Sequence, residues 1–333
     1  MSHNLLRHTA SLTCRCSIAG KEKCISTIFN SELSQIFCNN PWKTPEISRY
    51  HHSKYFFIGE TILILTDAVY DRHTFFICFL RNLFCNIFPV SCYGKVKDVK
   101  YDVVILPWGA TEPHNLHLPY LTDCILPHDI AVDAATLALE RSGVRCMVMP
   151  PVPFGAHNPG QRELPFCIHT RYTTQQAILE DIVASLYVQG IRKLVILGGH
   201  GGNNFKGMIR DLAVTYPDFL IMATDWFSII PTKGYFEADI DDHAGESETS
   251  AMMYYHPELV NLAEAGDGAS RPFAIASLNE KVAWTPRHWD KATVDSGVGN
   301  PKKASAEKGE RYLKPVIEKL ATLFAEVGQH DLY

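Results

Sequence analysis

Two short apolar runs constrain this chain more than any other feature. Residues 103–106 read Val-Val-Ile-Leu and residues 194–197 read Leu-Val-Ile-Leu, each closing on a proline or a glycine. Apolar runs this short suit strands buried on both faces. Each is followed by polar, turn-forming residues and then by a segment with helical spacing. Residues 130–142 are rich in Ala and Leu and end at Gly143. Residues 174–189 repeat Ile178, Ile182, Leu186 and Tyr187 on one helical face and end at Gly190, a glycine stop. Further strands are expected at 145–149 and 219–223, and further helices at 203–215, 248–255 and 304–327. Strands alternating with helices of this length predict an α/β fold with a mainly parallel sheet covered on both faces. In open sheets of that kind, sites form at the carboxyl ends of strands.

The chain has 333 residues and a net charge of −5. No basic run is interleaved with aromatics, so nucleic acid is not an expected partner. The apolar stretch at 74–90 is broken by Arg81, Asn82 and Asn86 and is shorter than the ~20 residues that span a bilayer. Composition changes near residue 95. The first 95 residues carry a net charge of +4 and seven of the ten cysteines, whereas the remainder carries −9. Residues 1–95 are therefore read as an N-terminal extension of unknown role that takes no part in the chemistry and need not be ordered. Residues 96–333 are read as one domain.

The polar residues that follow the strands are chemically selective. After the first come Glu112, His114 and Asp123; after the second, His200 stands between pairs of glycines in Gly198-Gly199-His200-Gly201-Gly202-Asn203. In an extended or looped backbone alternate side chains share a direction, so Glu112 and His114 can face one pocket. Small neighbours let the backbone crowd a ligand. A mixed imidazole and carboxylate set suits Zn, Mn or Fe. The glycine-rich turn can also be read as a phosphate cradle at a helix N-terminus, although it lacks the Lys-Ser/Thr of a P-loop. A third cluster, residues 241–250, reads Asp-Asp-His-Ala-Gly-Glu-Ser-Glu-Thr-Ser. It can be a capped helix start, or it can supply a metal carboxylate and a proton-transfer group, His243.

Together these segments resemble the creatininase (creatinine amidohydrolase) family, from about residue 96 to 326. The motifs are Gly109 through Glu112 and His114, then Asp123, then Gly199 through Asn203, then His243 through Ser250. The resemblance implies a three-layer α/β/α sandwich with two divalent metal ions (Zn, Mn or Fe) at strand ends. It implies that Glu112 and His200 ligate one metal, His114 the other, and that Asp123 bridges them. It puts His243 at the active-site histidine and Trp226 on a pocket wall. It also implies a cytoplasmic homohexamer acting on a small molecule.

Creatininases carry a ligating Glu where this chain has Gly202, and a second pocket Trp where it has Asp239. The missing carboxylate is expected from Glu248, with Glu246 as second choice. Glu246 is otherwise expected beside His243 in catalysis. His169, Arg171 and Asn203 are expected to meet substrate. Hydrolysis of a C–N bond in a cyclic amide or formamide-type molecule by metal-bound hydroxide is the expected reaction, with creatinine itself not the expected substrate. Alternatives are a keto-inositol or peptide substrate, or a non-catalytic metal or ligand binder.

Overall fold

In the computed structural model the chain forms two compact units, Met1–Asp71 and Arg72–Tyr333. Residues 91–333 are described throughout, together with the backbone of strands at Ser11–Ile18, Lys21–Ile28, Ser53–Ile58, Thr61–Thr66 and Asn86–Ile87. The four strands described in the first unit form two antiparallel pairs. Expectations about the order of the 1–95 extension and about its cysteines up to Cys85 lie outside the described residues. Cys92 is an exposed free thiol.

The second unit is built on a parallel sheet of β1 (Asn86–Ile87), β2 (Val103–Trp108), β3 (Cys146–Val148), β4 (Lys193–Gly198) and β5 (Leu220–Asp225). Their order across the sheet is β1-β3-β2-β4-β5. Side chains of β2 alternate between two cores: Val103 and Ile105 enter one, Val104, Leu106 and Trp108 the other. β4 does the same with Val195 and Leu197 against Leu194 and Ile196. That alternation makes both faces apolar and requires helices on each. One face is covered by α1 (Thr122–Ser142), α4 (Glu246–Tyr255) and α5 (Ala306–Gln329). The other is covered by α2 (Tyr172–Val188) and α3 (Lys206–Thr215). The result is the expected α/β/α sandwich. A small antiparallel pair, β6 (Asp241–His243) with β7 (Val298–Gly299), lies outside the main sheet.

Three boundaries differ from the sequence expectation, and each difference shapes the site. β2 continues through Pro107 to Trp108. The Pro107 carbonyl accepts from Val152 N–H at 3.0 Å, so only a donor is lost, near the strand's end. α1 begins at Thr122, two turns before residue 130, and holds Pro127 within it. Proline lacks the N–H that would bond the carbonyl four residues back, here that of Asp123. α3 begins at Lys206 rather than Asn203, because the Asn203 amide is engaged elsewhere.

From β2 the chain passes to β3 on one side, and then across to β4 on the other. The carboxyl ends of β2 and β4 therefore meet at the topological switch point, where open α/β sheets place ligands.

Candidate metal centre

β2 runs into Gly109 and β4 into Gly199, and the first turn of α1 lies directly over both. A Cβ at either glycine would collide with the Asp123 carbonyl. Only glycine permits this approach, which sets the Asp123 side chain between the two strand ends. The loop after Gly109 doubles back through a bridge between His114 and Leu118, with Asn115 at φ 54° as its turn. Asn tolerates that left-handed backbone, and its side chain accepts from Leu116 N–H at 2.7 Å and Gly266 N–H at 2.9 Å.

Glu112, His114, Asp123 and His200 converge. His114 Nε2 is 2.9 Å from Asp123 Oδ1. His200 Nδ1 is 2.8 Å from Glu112 Oε1 and 3.1 Å from Asp123 Oδ2. His243 Nδ1 stands 3.9 Å from Glu112 Oε1, and Glu248 Oε1 stands 3.9 Å from His114 Nε2. Glu112 is 1% exposed and Asp123 2%, so water does not offset their charge.

Each of the three histidines spends one ring nitrogen on a backbone carbonyl. His114 Nδ1 donates to Glu112 O at 3.0 Å, His200 Nε2 to Ala156 O at 2.8 Å, and His243 Nε2 to Pro113 O at 2.9 Å. A carbonyl can only accept, so the proton on that nitrogen is fixed and the other nitrogen faces the carboxylates. Metal-binding histidines are oriented in this way. Glu112 Oε1 and Asp123 Oδ2 are buried without an aligned hydrogen-bond donor. Buried oxygens left so are costly, and a divalent cation satisfies them. The donor set therefore fits metal ions. Among the described residues, three groupings have ligand atoms within 4.8 Å of one another: Glu112, His114 and His243; Glu112, His157 and His200; His114, Asp123 and Glu248.

The charges bear on one another. Burial opposes protonation of His114, but Asp123, Glu248 and Glu112 outweigh it and raise its pKa to about 10. Burial works against His200 as well, and Glu112 and Asp123 hold its pKa well above the ordinary histidine value. Burial pushes Glu248 up to about 8 against the pull of His114. Burial lowers His243, so its ring favours the neutral form.

Helix α4 supplies the remaining wall. Ala244 takes φ 50° between β6 and α4, a strained conformation for a residue with a Cβ. Its N–H donates to Glu248 Oε2 at 2.6 Å, leaving Oε1 to face His114. Asp241 accepts from Ser247 N–H at 3.2 and 3.1 Å and caps the helix. Of the two glutamates considered for the missing carboxylate, Glu248 joins the cluster and Glu246 does not. Glu246 Oε2 accepts from Glu237 and Ala238 N–H, both at 2.8 Å, while Oε1 pairs with Lys308. Its fully buried carboxylate clamps the 237–238 loop to α5, so it stands apart from the cluster around Asp123.

The residues expected to meet substrate divide. Trp226 is wholly buried in the core, edge-on to Phe227 and Tyr312, and not on an open wall. Asn203 ties three site loops together. Its Nδ2 donates to Gly109 O at 3.1 Å, and its Oδ1 accepts from Ala156 N–H and Gln175 Nε2, each at 3.1 Å. His169 and Arg171 are exposed, and His169 Nδ1 accepts from His157 N–H at 3.0 Å.

Three residues near the cluster were not singled out from sequence. His157 Nε2 is 3.6 Å from Glu112 Oε2, and Gln161 Nε2 donates to that same oxygen. Trp289 packs edge-on against His243 with ring centroids 5.3 Å apart. His157 and Gln161 lie in a Gly-Ala-His-Asn-Pro-Gly-Gln loop after β3; a histidine and an amide beyond a strand end were the available clue. Trp289 arrives from far along the chain and carried none.

The fold and the site together define a parallel α/β sandwich with a buried candidate metal centre of histidines and carboxylates at its switch point. The creatininase model, described as creatinine amidohydrolase, matches residues 93–324, and the chain belongs to that family. A creatinine amidohydrolase of Pseudomonas putida is 26% identical, over 67% of this chain and 89% of its own length. A crystal structure from Bacteroides fragilis NCTC 9343, provisionally assigned as a creatinine amidohydrolase, is 83% identical with TM-score 0.74, covering 74% of this chain and 98% of its own. A manganese form of creatininase shares the fold at 22% identity and TM-score 0.60, covering 74% of this chain and 100% of its own.

Proposed function

We propose that the protein is a divalent-metal-dependent amidohydrolase that cleaves the C–N bond of a small cyclic amide or formamide-type molecule. The observation that carries this reading is the shared tethering of His114, His200 and His243, each pinned to a carbonyl with its free nitrogen aimed at buried carboxylates. Glu112 and His200 would hold one ion, His114 and Glu248 the other, with one Asp123 oxygen toward each. The manganese in the related creatininase structure supports divalent ions as occupants. Such ions, when bound, polarise a carbonyl and lower the pKa of water toward ~7.

The chain's own groups supply proton transfer. The His243 ring holds its Nε2 proton on Pro113 O and presents Nδ1 to the centre. Being neutral, it can take a proton at Nδ1 and return it to a departing nitrogen. Trp289 packs against the ring and limits its rotation and its access to water.

The creatinine amidohydrolase of Pseudomonas putida supports a cyclic amide as the substrate class. Gly202 supports a substrate other than creatinine. A Cβ there would collide with Ala156 O and His200 Nε2, so the glutamate of creatininases cannot occupy this position without moving the 155–161 loop.

The test is metal content with a substrate panel. Purified protein should hold two equivalents of Zn or Mn and open a cyclic amide or formamide, and Asp123→Ala should lose both ions and activity. Unchanged metal content in Asp123→Ala would overturn the assignment.

A further inference from the structure

The loop between β3 and α2 is pinned on both flanks. Ala156 accepts from His200 and donates to Asn203. Gln161 accepts from Asn158 N–H at 2.8 Å and donates to Glu112 Oε2. Between these two staples the His157 side chain is 0% exposed, and neither ring nitrogen has a hydrogen-bond partner. Buried imidazole nitrogens are ordinarily satisfied. The His157 ring lies 5.0 Å from that of His200, centroid to centroid, with Nε2 3.6 Å from Glu112 Oε2. Ligand atoms on one tetrahedral zinc, at bond lengths of ~2.0–2.1 Å, lie roughly 3.3 Å apart. The 3.6 Å from His157 Nε2 to Glu112 Oε2 is close to that spacing, and one ligand atom each from Glu112, His157 and His200 lies within 4.8 Å of the other two. The space above Gly202 is filled by the backbone of this loop, which brings in a side chain of its own.

We propose that His157 is a ligand of the metal ion held by Glu112 and His200, a third protein donor delivered by the β3–α2 loop. This rests on the metal-centre reading above. Gln161 then acts as a positioning residue, orienting Glu112 toward the ion that His157 and His200 share.

Metal affinity and spectroscopy test this directly. Zn2+ competition against a chromophoric chelator should show one of two sites in His157→Ala weakened by at least ~10- to 100-fold, with the other retained. The Co2+-substituted His157→Ala protein should show altered d–d bands. Circular dichroism and melting of the metal-free variants establish that they fold. Should His157→Ala not fold, His157→Cys answers the same question: with Co2+ it should gain a thiolate-to-cobalt charge-transfer band absent from the wild type. Two sites of unchanged affinity in a folded His157→Ala would overturn the proposal, as would the absence of that band in His157→Cys. If the wild type holds both ions and only these variants are silent, His157 alone is wrong. If the wild type binds neither Zn2+ nor Co2+, the amidohydrolase reading falls with it.

Discussion

Two glycines, Gly109 and Gly199, decide where Asp123 sits. At Gly199 a Cβ would meet the Asp123 carbonyl and Pro127 Cγ, so Gly199→Ala must push α1 off the sheet. Overpacking of this kind destabilises by about 1–3 kcal/mol, and urea unfolding of the metal-free protein should show that loss. Gly207 is the internal control. Nothing lies within 4 Å of a Cβ there, it is helical, and Gly207→Ala should stabilise by about 0.5–1 kcal/mol. Equal midpoints for the two variants would refute the close-approach argument. Residues of this centre differ in how far sequence exposed them. Glu112, His114 and His200 were legible because strand-then-ligand is a local pattern. His157 was not, since its loop of Asn, Pro and Gly has no periodicity, and only the fold brings it to Glu112. The sequence ranks Glu248 ahead of Glu246 as the carboxylate donor but offers no geometry for the choice. The turn at Ala244 separates them, sending one carboxylate to His114 and the other to Lys308.

Among the elements, α1 and α4 are tied by a buried-edge ion pair as well as by apolar packing. His256, just past α4, places Nε2 2.6 Å from Asp129 Oδ2 on α1, and Tyr255 donates to Asp133 at 2.7 Å. The Asp129 hydrogen bond raises the His256 pKa above its ordinary value. Burial resists ionisation of Asp129, but hydrogen bonds from His128 and His256 prevail and lower it to about 2. A raised histidine pKa means the folded state holds the proton more tightly. That contribution is complete below the unfolded value of about 6.5 and is lost as pH rises through the folded value. A lowered aspartate contributes above about 3.9 and is lost as pH falls through about 2. The pair therefore contributes fully between about pH 4 and 6.5. The stability gap between wild type and His256→Asn should shrink as pH rises from 6 to 9, and a pH-independent gap would exclude the pair as its cause. Sequence periodicity found these helices but placed the start of α1 at residue 130, whereas the helix begins at Thr122 and runs through Pro127. Its missing donor falls on Asp123, whose carbonyl packs against the two strand-end glycines.

Over the whole molecule, sheet order and charge burial are coupled. Placing β2 beside β4 collects Glu112, Asp123 and Glu248 with His114 and His200 in one water-poor space. The segment at 256–305 closes over it, with Trp289 against His243 and β7 paired to β6. That closure was illegible in the sequence, since the segment has only short helical turns and one two-residue strand, and its place is set by contacts distant along the chain. Burying ions is unfavourable unless they are paired: burial raises the pKa of Glu248, while the raised pKa of His114, won against burial, reports its pairing with Asp123. Unfolding hydrates every group, and a dispersed set of ligands binds divalent ions far less tightly. Bound ions must then stabilise the fold through linkage, by about 2.7 kcal/mol per site at a free concentration 100 times Kd. For a unit of this size each kcal/mol moves the melting temperature by about 2–4 °C. Chelation should therefore lower Tm by roughly 5–10 °C for each site emptied, and readdition of Zn2+ or Mn2+ should restore it. The loss should vanish in Asp123→Ala, where no ion remains to remove. Melting curves that coincide with and without chelator would mean that protons and hydrogen bonds alone hold the cluster together.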